Sequence, residues 1–294
     1  MDDADRIVPD FVVIGAAKSG TTSVWRWLRT LPDCFVASPK EIDFFCSDEQ
    51  WRRGVAWYRA QFAEARPEQP TGEVSPNCTM PDRAASAAER LARTAPGARL
   101  VFLARDPLER LRSQYRHEVQ RGRERRSLAE AVAATDSPYV LRSLYSACLD
   151  PYFAAFPPDR IAVIRFEDLV DDEASGWTSL LRFLGLEVRP RPEAPVNTTA
   201  EKRQFRRVTL KLYETNLLRF ASRLPGPVRR AGRSILTRGG DPYRRLMDRS
   251  RAELPPEVER RIREDADRLA ARIGADAPLW PRDQASPTRS RPPG

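Results

Sequence analysis

Residues 10 to 23 run an apolar stretch of β type, Phe11-Val12-Val13-Ile14, straight into a turn of small residues and then into a helical pattern. The turn carries Lys18, Ser19, Gly20, Thr21, Thr22 and Ser23. A strand that feeds a helix through such a turn gathers backbone N–H groups where the helix dipole favours negative charge, and the lysine and hydroxyls add side-chain donors. The predicted product is an anion cradle, with phosphate as its natural guest. Lys18 precedes Gly20 and no Gly-Lys-Ser/Thr occurs, so the loop departs from the Walker A order.

A second segment repeats the theme. The apolar run 99–104 ends in Arg105-Asp106-Pro107 and passes into a helical pattern that bears Ser113. Other strand-like stretches fall at 11–15, about 72–74 and 161–166, and helical periodicity predicts helices over 20–30, 50–61, 82–94, 107–120, 127–134, 139–155, 175–184 and 255–272. Strands that alternate with helices imply an α/β fold built on a mainly parallel sheet, P-loop-like in its nucleotide-binding corner. In such sheets ligands sit at the carboxyl ends of the strands, where both phosphate elements fall.

The chain of 294 residues is long enough for a large core, and a single domain over 1–282 is expected. Within it, the basic stretch 201–251 reads as a lid or acceptor-facing segment. The Pro-, Ser- and Arg-rich tail 283–294 reads as disordered. No apolar run approaches the roughly 18 residues that cross a bilayer, and the acidic start lacks the pattern of a secretory leader, so a cytoplasmic location is expected. Cys34, Cys46, Cys78 and Cys148 are widely spaced and accompany a single histidine, which suggests buried thiols rather than a metal site. The net charge of +9 suits an anionic cofactor, an anionic acceptor or nucleic acid.

The ordered pair of phosphate elements resembles that of sulfotransferases that use 3′-phosphoadenosine 5′-phosphosulfate (PAPS). The resemblance is to the carbohydrate type, in particular to bacterial proteins similar to heparan-sulfate sulfotransferases. Further segments carry it: 38–45, Gly72-Glu73-Val74-Ser75-Pro76-Asn77, 113–119, Phe166-Glu167-Asp168-Leu169, and a closing pattern through Leu269, Ile273, Gly274, Asp276, Leu279 and Trp280. It spans roughly residues 9–282.

The resemblance implies transfer of a sulfuryl group from PAPS to a hydroxyl of a glycan, a glycolipid or a secondary metabolite, without metal. Lys18 would meet the 5′-phosphate and the bridging oxygen, and residues 19–23 would donate N–H and O–H groups. Glu41 would be the general base, in Lys40-Glu41-Ile42-Asp43-Phe44-Phe45. The family more often has proline and histidine where Ile42 and Asp43 stand. Arg105 and Ser113 would bind the 3′-phosphate, for which the forked guanidinium is suited. Tyr145, Lys202 and Arg203 resemble positions that contact the adenosine and the 3′-phosphate.

Lys40, Asp43, Glu73 and His117 are acceptor-side candidates. Glu73 lies near a strand end, although the similar segment often carries a lysine in eukaryotic relatives. His117, one turn beyond Ser113, is placed on the acceptor side or in the scaffold rather than as the base that histidine provides in cytosolic small-molecule sulfotransferases. Three rival readings are weaker. A P-loop kinase requires the Walker A order, and a nucleic-acid-binding protein requires exposed aromatics interleaved with its arginines. A catalytically dead scaffold has no reason to keep Lys18, Glu41, Arg105 and Ser113 together.

Overall fold

A computed structural model describes residues 9–171, 173–193 and 250–280. Lys202 and Arg203, most of 201–251 and the tail 283–294 lie outside the described residues.

The chain divides into two compact units. The first takes the described residues of 9–107, 144–193 and 261–280; the second takes those of 108–143 and 250–260.

The first unit is built on five parallel strands, β1 (Phe11–Gly15), β2 (Phe35–Val36), β3 (Thr71–Val74), β4 (Arg99–Ala104) and β5 (Ile161–Arg165), in the order β2-β3-β1-β4-β5. Every residue of β1 is buried, as a central strand covered on both faces requires. Alternation then assigns its side chains to two layers. Val12 and Ile14 join Leu100 and Phe102 in a core packed against α4 (Ala84–Thr94) and α8 (Tyr145–Ala155). On the other face, α1 (Thr21–Leu28) meets α10 (Ser175–Leu184) through an edge-on pair of Trp27 and Trp177, with ring centroids 5.8 Å apart. Gly72 is required where β3 passes β1, because a β-carbon there would lie 2.2 Å from the Phe11 ring.

Several expected elements are shorter or divided. The helix expected over 50–61 is α2 (Asp48–Trp51), α3 (Gly54–Arg59) and a 3₁₀ turn, Ala60–Phe62. The break falls at Gly54, whose φ of 83° is left-handed. The one expected over 139–155 is α7 (Pro138–Leu141) and α8, with Ser143 turned back to donate to the Tyr139 carbonyl. A short helix, α9 (Phe166–Val170), starts where a strand was expected to end. The final helix, α11 (Pro256–Arg272), places Asp265 against the start of α8, where its carboxylate accepts from the N–H groups of Ser146 at 2.8 Å and Ala147 at 3.4 Å. It caps from outside a helix that has no side-chain cap of its own.

In the second unit, α5 (Pro107–Gln120) supplies Arg110, which is 1% exposed and donates to Ser143 Oγ and to the Tyr139 carbonyl. The unit also contains α6 (Leu128–Val132), which opens with a capping box of Ser127 and Glu130. Among the described residues no helix is long and apolar enough to cross a membrane.

Candidate active site

Because every strand runs the same way, the loops that leave β1, β2, β3 and β4 open at one edge of the sheet. Hydrogen bonds extend the ladders into these loops. Ala16 N–H donates to the Leu103 carbonyl, Ser75 N–H to Val13, Ala37 N–H to Gly72 and Glu41 N–H to Val74. The chain leaves the central strand β1 toward β2 and β3, then crosses to β4 on the other side, which makes this edge a topological switch point.

The loop after β1 has the geometry of a cradle. Lys18 and Gly20 are left-handed, with φ of 77° and 84°, and Gly20 is the N-cap of α1 without any side-chain cap. Ser19, Thr21 and Ser23 are buried, and the Ser19 hydroxyl has no hydrogen-bond partner. A buried donor left open beside an uncapped helix start suits an anionic group.

Phe166, at the start of α9, meets both the Lys18 loop and Arg105. A β-carbon at Gly20 would lie 2.6 Å from its ring, and the Arg105 guanidinium lies over the same ring at 5.4 Å. Glu167 beside it accepts from the Asp106 N–H at 3.0 Å and from the Trp280 indole N–H at 3.2 Å. Tyr145 is fully buried and donates its hydroxyl to the Arg105 carbonyl at 2.9 Å. Its ring stands edge-on to Phe102 and tilted against Trp280. Arg105 is thus fixed at its carbonyl by Tyr145, while Glu167 fixes the next N–H.

The loop after β2 carries the acidic candidates. Lys40 Nζ pairs with Glu41 Oε1, and the Glu41 side chain remains 43% exposed. Glu41 and Asp43 are both left-handed, with φ of 66° and 56°. Among the described residues, three of the four non-glycine residues with this conformation, Lys18, Glu41 and Asp43, are therefore candidates read from sequence. Such conformations cost on the order of 1–3 kcal/mol each and gather at functional sites. Asp43 is held by its own N–H on Ser75 Oγ at 3.2 Å and by Asn77 Nδ2 on Oδ2 at 2.8 Å. Burial, opposed by Asn77 and reinforced by the Glu41 charge, pushes its carboxyl above the ordinary range. Phe44 and Phe45 anchor the loop among Trp51 and Tyr58.

The structure gathers Lys18, Ser19, Gly20, Thr21, Thr22, Ser23, Lys40, Glu41, Asp43, Glu73, Arg105 and Tyr145 in the first unit. Ser113, which is buried, and His117, which is half-buried, lie on α5 in the second. Sequence reasoning gave no role to Phe166 and Glu167, although it quoted their motif, and it passed over Ser75 and Asn77 in another.

The sheet order and the loop between β1 and α1 define a P-loop-like α/β fold. Within that class the chain is similar to sulfotransferases, over part of its sequence and in its fold. Residues 78–190 match the family model described as Sulfotransferase family, a stretch that holds Arg105, Ser113 and Tyr145 but begins after the Lys18 and Glu41 loops. Heparan sulfate glucosamine 3-O-sulfotransferase 3A1 of Mus musculus is 26% identical over 64% of this chain and 48% of its own length. The bifunctional heparan sulfate N-deacetylase/N-sulfotransferase 3 of Homo sapiens is 29% identical over 62% of this chain and 23% of its own. The chain thus spans about half the length, or less, of these curated relatives. Among solved structures, a sulfotransferase from Alicyclobacillus acidocaldarius superposes with a TM-score of 0.61 at 22% identity, over 92% of this chain and 97% of that one.

Proposed function

We propose that this protein transfers the sulfuryl group of PAPS to a hydroxyl of a carbohydrate or related acceptor. The observation that carries the reading is the meeting of the Lys18 loop and Arg105 at one ring, Phe166, at the switch point of the sheet. One element suits the 5′-phosphate and the other a second phosphate. A cofactor phosphorylated at both the 3′ and 5′ positions needs two such elements.

Lys18 and the N–H groups at the start of α1 receive the charge left on the 5′-phosphate as its bond to sulfur breaks. Arg105 grips the 3′-phosphate through paired donors. Glu41 takes the proton of the acceptor hydroxyl, whose oxygen bonds to the sulfur, and Lys40 holds the Glu41 carboxylate through their ion pair. The donor supplies an activated sulfuryl group, and the products are a sulfate ester and adenosine 3′,5′-bisphosphate. The match to heparan-sulfate enzymes supports a polysaccharide hydroxyl as acceptor. The formal charge of +9 agrees with an anionic one.

Calorimetric titration with adenosine 3′,5′-bisphosphate, against AMP and ATP, tests the reading. Binding that requires the 3′-phosphate supports it, whereas preference for ATP overturns it. Release of the bisphosphate from PAPS, accelerated by heparan sulfate or another hydroxyl polymer, then tests the transfer itself.

A further inference from the structure

Strand β3 carries, one residue before its end, a carboxyl group that is enclosed and unmatched. Glu73 is 1% exposed, and neither of its oxygens has a hydrogen-bond partner. The titratable groups that face it are Tyr58 from α3, Tyr152 from α8, Cys78 from the 3₁₀ turn after β3, and Asp43 from the Lys40 loop. None of these carries positive charge. Glu41 and Arg83 act in turn on Asp43. Full ionisation of Glu73 would place a buried negative charge near the half-buried Asp43, an arrangement that low-polarity surroundings strongly disfavour.

Burial pushes Glu73 up to about 8; the Tyr58 hydroxyl and Ser75 pull the other way without closing a hydrogen bond, and the charge of Asp43 adds to the rise. Glu41 and Asp43, both left-handed, are secured to the β3 end by Glu41 N–H on Val74, Asp43 N–H on Ser75 and the Asn77 amide on Asp43. Repulsion directed at Asp43 acts on two of those three.

We propose that Glu73 is a positioning residue that works as a neutral carboxylic acid: its uncharged state keeps Asp43 seated on Ser75 and Asn77 and so holds the turn that presents Glu41. The functional meaning rests on Glu41 as the base proposed above. The mechanical claim, that the charge on Glu73 governs the order of residues 40–46, does not.

Hydrogen exchange of the full chain, read by mass spectrometry on peptides covering 40–46 and corrected for the intrinsic pH dependence of exchange, separates the two. In the wild-type protein protection of this segment falls at least tenfold from pH 7 to pH 9, while in Glu73→Gln it changes less than twofold. A merely structural glutamate would shift protection by the same factor at both pH values. Unchanged wild-type protection across that range overturns the proposal, and so does an equal loss in Glu73→Gln. Thermal unfolding adds a second readout. The folded protein keeps a proton that the unfolded chain releases above its ordinary carboxylate range, so the melting temperature falls between about pH 4.5 and 8 in wild type, with a shallower fall in Glu73→Gln. Coincident slopes overturn the proposal. If Glu41→Gln turns over normally while the exchange result stands, the base assignment fails and the positioning claim survives.

Discussion

A β-carbon on Gly20 would lie 2.6 Å from Cδ2 of the Phe166 ring. The loop backbone therefore rests directly on the aromatic ring, and Gly20→Ala must displace one of them. Its φ of 84° adds the usual penalty for a left-handed residue, about 1–2 kcal/mol. Gly20→Ala is expected to weaken binding of adenosine 3′,5′-bisphosphate at least tenfold in calorimetry. Binding equal to wild type would show that the loop does not form the phosphate site.

Arg105 and Lys18 are expected to fail in different ways. Arg105→Ala removes a charge-assisted contact, worth about 1.5–3 kcal/mol, or roughly 10- to 150-fold in affinity. The loss falls on adenosine 3′,5′-bisphosphate and spares AMP. Lys18→Ala weakens both, since both carry a 5′-phosphate. Glu41→Gln leaves bisphosphate binding within about twofold of wild type and lowers turnover by about two orders of magnitude or more, in line with the usual size of general-base effects. Titrations and PAPS turnover with the four proteins side by side check the assignments.

Asn77 donates to Asp43 Oδ2 at 2.8 Å, and Asp43 Oδ1 is already buried without a partner. Asn77→Ala leaves both oxygens unmatched, which is expected to cost about 1–3 kcal/mol in denaturant unfolding. The same change removes the bond that holds the Asp43 carboxyl down, so its titration moves further up. A stability within about 0.3 kcal/mol of wild type would mean that the loop is held by Ser75 and the aromatic anchors alone.

In the second unit, Glu124 accepts from the N–H groups of Arg125 and Arg126, from the Arg126 guanidinium and from the Tyr139 hydroxyl. Burial opposes its charge, but these bonds outweigh the burial and hold its carboxyl below the ordinary range. A depressed carboxyl contributes stability that is present above its unfolded value and is lost as pH falls through the folded one. Acid unfolding below about pH 4.5 is accordingly expected to be less steep in Glu124→Gln, by circular dichroism of matched acid titrations. Superimposable acid limbs would refute this.

The regular core was legible because long strands and periodic helices declare themselves. β1, β4 and α10 stand where the apolar runs place them, within a residue or so. β2 is two residues long, too short for any alternation to register, and exists because Phe35 and Val36 pair with Thr71 and Gly72. The Lys18 and Arg105 elements were legible because glycine, proline and a forced turn write backbone geometry into residue types. Phe166 and Glu167 were not, since a phenylalanine becomes a platform only when Gly20 and Arg105 arrive from distant strands. The buried state of Glu73 was equally hidden: Tyr58, Tyr152, Cys78 and Asp43 come from four separate elements.

The central place of β1 fixes a timetable for assembly. Its partners are β3 and β4, so Phe11 waits for Gly72 and Arg99 before its ladder on either side exists. The Lys18 loop is made before the strands and the ring it needs and acquires its shape only after them, because Phe166 follows later still. Parallel pairings of such sequence separation close slowly. Until then, an aromatic and valine-rich strand has no cover, and a ligand that bridges the two phosphate elements would favour the finished arrangement as much as it uses it.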